Sequence, residues 1–363
     1  MPSAMPSPDR SLALTRRQDA GLVIAGLSLA LAGTALAVAL ARRSQGTGAK
    51  SPRRHAEEGR GPISTHAQPA RVLRERQLRR PIQHDALRGD EICPHARAAR
   101  TLDGAAAMLS ASVLLDSTVE HYRGMFQNRT MYAPLAVSAL AAAASLQGVA
   151  GARAMPFRGA IDGLAVAAGF VGLGFHARNM LRSEGGLSWQ NLFYGAPLGA
   201  PVALAIAGAL GLAAKRLAGA EAGEAPDFLG LPAGRALAGF SAFGILGSAA
   251  EAGLLHFRGA FQNPAMLIPV TLPPVAAAAL AIAAARPDRP GPRKAARWAL
   301  RATAASGIAG VAFHAYGVSR MMGGWKNWTQ NLVDGPPLPA PPAFTGLAVA
   351  GLAALDLLEA EHG

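Results

Sequence analysis

Cysteine is almost missing from this sequence: among 363 residues there is one, Cys93. A single thiol cannot close an intrachain disulfide, and it cannot supply the multi-cysteine sets of iron–sulfur clusters or zinc ribbons. Charge is scarce too. Asp, Glu, Lys and Arg make up 16% of the chain, against about 25% in a soluble domain. The acidic side is the poorer, 22 residues against 35 basic ones, for a formal net charge of +13. That excess does not describe a nucleic-acid binder. The basic residues lie between hydrophobic runs and not along one helix face with interleaved aromatics. A nucleotide-binding glycine loop, an ordered Ser/His/Asp set and a zinc-protease motif are also missing.

What the chain has is length without charge. Residues 20–41, 130–152, 185–214, 259–285 and 335–355 carry no ionisable acid or base of the Asp, Glu, Lys or Arg kind. Each is long enough to cross about 30 Å of hydrocarbon as a helix. They are made of Ala, Leu, Gly and Val with no period-two alternation, which predicts helices and not barrel strands. The fold class expected is therefore an all-α, polytopic integral membrane protein, with the lipid bilayer as its first partner. The bias toward Ala, Arg, Gly and Pro fits a GC-rich bacterial gene, and the expected location is a bacterial inner membrane.

Four regions follow from the composition. Residues 1–41 hold a polar tail and a hydrophobic segment, 20–41, flanked by Arg16-Arg17 and Arg42-Arg43. Its length exceeds the roughly 7–15 residues of a cleaved signal core, so it reads as an N-terminal transmembrane helix, with a signal peptide as the alternative. The paired arginines are followed by Gln18, Asp19 and Ala20, without the hydrophobic pair of a twin-arginine signal. Residues 42–100 carry 14 Lys or Arg against 6 Asp or Glu, together with Pro52, Pro62, Pro69, Pro81 and Pro94. Such a segment buries too little apolar surface to offset its ordering entropy and reads as a basic, disordered linker. From residue 101 eight spans are expected, near 103–121, 131–152, 159–176, 195–214, 236–256, 264–285, 298–314 and 336–357.

An internal repeat groups those eight. The octet from His121 to Asn128 (HYRGMFQN) matches that from His256 to Asn263 (HFRGAFQN) at six of eight positions. Asp116 and Glu251 each precede their histidine by five residues, and Met131 and Met266 each follow the asparagine by three. Later, His176 with Gly185-Gly186, Gln190-Asn191 and Pro197 parallels His314 with Gly323-Gly324, Gln330-Asn331 and Pro337. The expected core is thus an eight-helix bundle from a duplicated four-helix unit, with copies at 101–220 and 234–360. A four-fold pattern lies beneath it. A Gln-Asn pair occurs at 127–128, 190–191, 262–263 and 330–331, in each case after a histidine and six residues before a proline.

Units with an even number of spans share one orientation, so all four histidine loops fall on one membrane face. The loops of that face hold seven basic residues and the opposite loops hold eleven, among them Arg286, Arg289, Arg293, Lys294, Arg297 and Arg301. The positive-inside rule puts the histidine loops outside and the linker in the cytoplasm. A cleaved 1–41 would invert this.

Several repeated residues have plain structural readings. Asn128, Asn191, Asn263 and Asn331 suit helix N-caps with a proline in the first turn. His121, His176, His256 and His314, with Arg123 and Arg258, would meet the negative ends of helix dipoles. Trp189, Trp325, Trp328 and Tyr194 suit an interfacial belt. Two features point further. Asp116 and Glu251 lie about 7.5 Å of helix rise from their histidines, inside the apolar zone, where an ionisable side chain marks a functional site. And capping would accept Lys, Arg or Gly, whereas all four hairpins use imidazole, the ligand of haem and metals. The candidate site is His121, His176, His256 and His314. Its supporting residues are Asp116, Glu251, Arg123, Arg258, Gln127, Asn128, Gln190, Asn191, Gln262, Asn263, Gln330 and Asn331. One or two haem b groups fit four imidazoles; copper would add the thioethers of Met131 and Met266. Membrane redox chemistry is one reading. A transporter with parallel repeats is a second, and a membrane scaffold with a redox or transport partner is a third.

Overall fold

A computed structural model describes residues 93–151, 157–220 and 226–362. The hydrophobic helix expected at 20–41 and the linker up to residue 92 lie outside them. The described chain is helical almost throughout. In order it forms α1 (Pro94–Arg123), α2 (Ala133–Val149), α3 (Arg158–Arg182), the short α4 (Trp189–Tyr194) and α5 (Gly199–Ala218). A two-stranded hairpin, β1 (Asp227–Phe228) and β2 (Leu231–Pro232), comes next. Then follow α6 (Ala233–Arg258), α7 (Ile268–Ala285), α8 (Pro290–Arg320), the short α9 (Trp328–Asp334) and α10 (Pro342–His362).

Eight of these are long. In lipid, a helix is the element that satisfies every backbone N–H and C=O within its own segment, and runs of Ala, Leu and Gly offer no competing side-chain hydrogen bonds. Seven helices in the described residues are long and apolar enough to cross a membrane, so the chain is a multi-pass membrane protein. The eighth, α8, is long but less apolar: Arg293, Lys294, Arg297 and Arg301 crowd its first half.

Several boundaries differ from expectation: α8 extends beyond the expected 298–314 at both ends, and α3 runs past 176 to Arg182. Residues 94–100, assigned to the linker, are the first turns of α1. Pro94 is tolerated at a helix start because the first N–H groups have no partner anyway, and Ala98 and Ala99 are packed at 1% and 2% exposure. The fourth and eighth spans begin late, at Gly199 and Pro342. A residue before proline is pushed out of the helical region, so no helix runs through Pro197 or through Pro336-Pro337. The short α4 and α9 occupy the approach instead.

The long helices pack as two rings of four. In one, α1 and α3 each touch α2 and α5; in the other, α6 and α8 each touch α7 and α10. The rings meet where α1 lies on α10 and α5 on α6. Leu102, Leu109, Leu210, Ile245, Leu280 and Leu355 are fully buried in the shared core, embedded in alanines. Small residues permit close helix approach. Gly169 of α3 sits so tightly on Pro201 and Ala205 of α5 that a Cβ would strike backbone, and Gly307 of α8 sits the same way on Pro341, just before α10, and on Thr345 of α10. Large apolar side chains point outward: Phe170, Phe243, Val275 and Ile308 are 56–66% exposed. Distributed around the helices, they are the surface expected against acyl chains.

Candidate functional site

The four histidine loops lie at one end of the bundle, and the way α1 and α6 stop there is the same residue by residue. After Arg123 the chain turns through Gly124, and Met125 and Phe126 take left-handed φ values of 57° and 44°. After Arg258 it turns through Gly259, and Ala260 and Phe261 take 55° and 46°. The N–H of Phe126 bonds back to the carbonyl of His121 at 3.0 Å and that of Phe261 to His256 at 3.1 Å, the wide closing bond of a Schellman-type stop. Two successive left-handed non-glycine residues are costly; these turns satisfy the last carbonyls and bring the phenylalanine ring edge-on to the imidazole, 6.2 Å away in both loops.

The asparagines have two jobs. Asn128 and Asn263 are N-caps, their side-chain oxygens accepting from Thr130 N–H at 3.0 Å and Ala265 N–H at 2.9 Å. Asn191 and Asn331 are loop staples. Asn191 donates to the carbonyls of Glu184 and Gly186, and Asn331 to those of Met322 and Gly324. Gln127, Gln190, Gln262 and Gln330 are exposed on the rim, Gln330 accepting from Asn327. The four asparagines thus take part in building the loops.

The histidines are held in one common way. The Nδ1 atom of His121 meets the carbonyl oxygen of Met131 at 2.6 Å, and that of His256 meets Met266 at 2.9 Å. His314 meets Pro337 at 2.6 Å, and His176 meets Pro197. A carbonyl only accepts, so Nδ1 must carry the hydrogen. The neutral ring then presents the lone pair of Nε2, the atom free to ligate. All four rings are half-buried. They approach one another in two pairs. His256 and His314 have ring centres 6.5 Å apart and planes at 71°, while His121 and His176 lie within electrostatic range of each other. Each pair joins helices that stand diagonally in their ring, α1 with α3 and α6 with α8.

The carboxylates serve another place. Backbone carbonyls hold every Nδ1, so neither Asp116 nor Glu251 is the partner of that nitrogen. Glu251 instead accepts the N–H of Gly199 at 2.8 Å, capping the start of α5 across the seam between rings. Asp116 lies within electrostatic range of Glu251, Glu120 and Arg123. Both acids are half-buried and face the bundle. The arginines are engaged as well. Arg123 pairs with Glu120 at 2.9 Å and donates to the carbonyl of Val333, in the opposite ring's loop. Arg258 donates to the carbonyl of Phe193 at 3.1 Å and lies over the Tyr194 ring. The two crossings run in opposite directions and join the four loops two by two.

Met131 and Met266 pack their methyl ends over Gly124 and Gly259. Among the described residues no group of three or more His, Cys, Asp or Glu is arranged to hold a metal ion. One buried polar cluster was not foreseen. At the far end of the bundle, Arg158 of α3 pairs with Asp103 of α1 and lies 3.6 Å from Asp162. The signal was available, since both acids interrupt expected spans, but the sequence does not show which helices face each other.

No family model matches the chain, and no curated protein or solved structure was found similar to it.

Proposed function

We propose that this membrane protein is built from two copies of a four-helix unit, residues 101–220 and 234–360, and that each copy carries one bis-histidine centre. His121 with His176 holds the first, and His256 with His314 the second. The observation that carries this reading is the shared setting of the four imidazoles. Each is fixed through Nδ1 by a carbonyl, which orients the ring and leaves Nε2 as donor to a metal, the support that ligating histidines ordinarily receive.

Distance favours the pairing. Two imidazoles bound on opposite sides of one metal, each at about 2.0–2.1 Å, place their ring centres roughly 6 Å apart. His256 and His314 stand 6.5 Å apart before any ligand is considered. Haem b would suit two protein ligands better than a bare ion, because the macrocycle would supply the other donors and each histidine pair would hold one group. Copper with thioether ligands is less favoured, since Met131 and Met266 are spent on packing over glycine. The matched turns, N-caps, staples and reciprocal arginine crossings support the duplication. A protein with two such centres at one membrane face belongs to electron transfer, with a redox partner docking at that face.

The test is the absorption spectrum of the full chain purified in mild detergent. A Soret band and a sharp α band on reduction, both weakened in His121→Ala and in His256→Ala, are expected. A colourless preparation that still folds would exclude haem and turn the choice toward transport or scaffolding, with Asp116 and Glu251 as the residues to pursue.

A further inference from the structure

At the end of the bundle away from the histidines, three charged side chains are more than nine-tenths buried: Asp103 at 4%, Arg158 at 7% and Asp162 at 1% exposure. The space for them is made by glycines. A Cβ on Gly148 of α2 would collide with the Asp103 carboxylate, and one on Gly211 of α5 with that of Asp162. On the alignment that pairs His121 with His256 and His176 with His314, the second unit has Ala238, Ala296 and Leu300 at these positions, all 0% exposed. The packing of this fold therefore does not require charge here, and the first unit alone carries it.

The charges do not balance. Arg158 directs both terminal nitrogens at Asp103, Nη2 to Oδ1 and Nη1 to Oδ2 at 3.4 Å. Asp162 is left with Nε at 3.6 Å, too long for a hydrogen bond, and neither its Oδ2 nor the arginine Nε has a hydrogen-bond partner. Other groups facing the site add little. From α5, Lys215 lies over Gly159 but is exposed to solvent; α2 contributes no charged residue. Two carboxylates thus share one guanidinium, and Asp162 has only the long 3.6 Å ion pair to its Nε in an apolar interior.

We infer that Asp162 is a proton-binding site: the cluster takes up one proton at the membrane face opposite the histidines and holds it on this carboxyl. Taking it up makes the cluster neutral as Asp103 carboxylate, Arg158 guanidinium and Asp162 acid, and the acid O–H gains the capacity to donate. A metal cation is the poorer occupant, since no third ligand is arranged nearby. This site uses none of the histidine geometry, so the two readings fail separately.

Infrared difference spectroscopy of the full chain in detergent or nanodiscs tests it. At neutral pH the wild type should show a protonated-carboxyl C=O stretch that shifts in D2O, and Asp162→Asn should remove one carboxyl from it. Asp103→Asn should remove it too, because Arg158 is then released to pair with Asp162 as an anion. Asp116→Asn and His121→Ala should leave that component in place. A band undiminished in both Asp162→Asn and Asp103→Asn would overturn the inference, as would a component abolished by sodium at constant pH, which would make the occupant a metal cation.

Discussion

Removing Arg158 should be far more damaging than removing the whole cluster. Arg158→Ala leaves Asp103 and Asp162, both under 5% exposed, without the guanidinium that pairs with them. Breaking a buried ion pair by deleting one partner costs about 3–5 kcal/mol, whereas replacing all members by apolar residues is often neutral or better. The second unit supplies the apolar template, Ala238, Ala296 and Leu300. The triple variant Asp103→Ala, Arg158→Ala, Asp162→Leu should therefore recover most of the loss and come within about 1–2 kcal/mol of wild type. The assay is denaturant titration in mixed detergent micelles, followed by fluorescence of the four tryptophans, three of which (Trp189, Trp325, Trp328) sit in the histidine-side loops and report the far end of the bundle. A triple variant as unstable as Arg158→Ala, or worse, would refute both the alignment of the units and the claim that the packing there does not need charge.

Asn128→Ala and Asn263→Ala should each cost about 1 kcal/mol, the usual worth of a lost N-cap, while Gln127→Ala, at an exposed neighbour, should change nothing in the same titration. Gly169→Val should fail more severely than Gly163→Val, because a Cβ at Gly169 meets α5 backbone and one at Gly163 meets nothing within 4 Å; equal stability would argue against the α3–α5 contact. Reporter fusions after Lys215 and after Arg289 should fall in the cytoplasm and fusions within 123–130 and 318–328 outside. Fusions from both sets on one side would contradict the hairpin order.

Much of the architecture is readable from the chain because helices in lipid are specified by one-dimensional properties, apolar length and punctuation. The octets at His121 and His256 announced two loops of one shape, and the left-handed turns at Met125-Phe126 and Ala260-Phe261 are where that shape resides. What a spacing cannot carry is the partner. The four Gln-Asn pairs look alike, yet Asn128 caps a helix and Asn191 staples a glycine turn, since the difference depends on whether a proline-rich approach inserts a short helix first. Glu251 finds its hydrogen-bond partner on α5 across the seam, and the imidazoles find carbonyls ten to twenty-three residues away. The Asp103–Arg158 pair joins residues 55 apart, across the diagonal of a ring that no local pattern records.

The central claim is two bis-histidine centres, one in each unit, and the most direct measurement is iron per chain in protein purified from cells supplied with haem. Two irons per wild-type chain, one in His121→Ala, one in His256→Ala and none in the double variant are predicted. Wild-type protein without stoichiometric iron, or single variants that keep both irons, would contradict it.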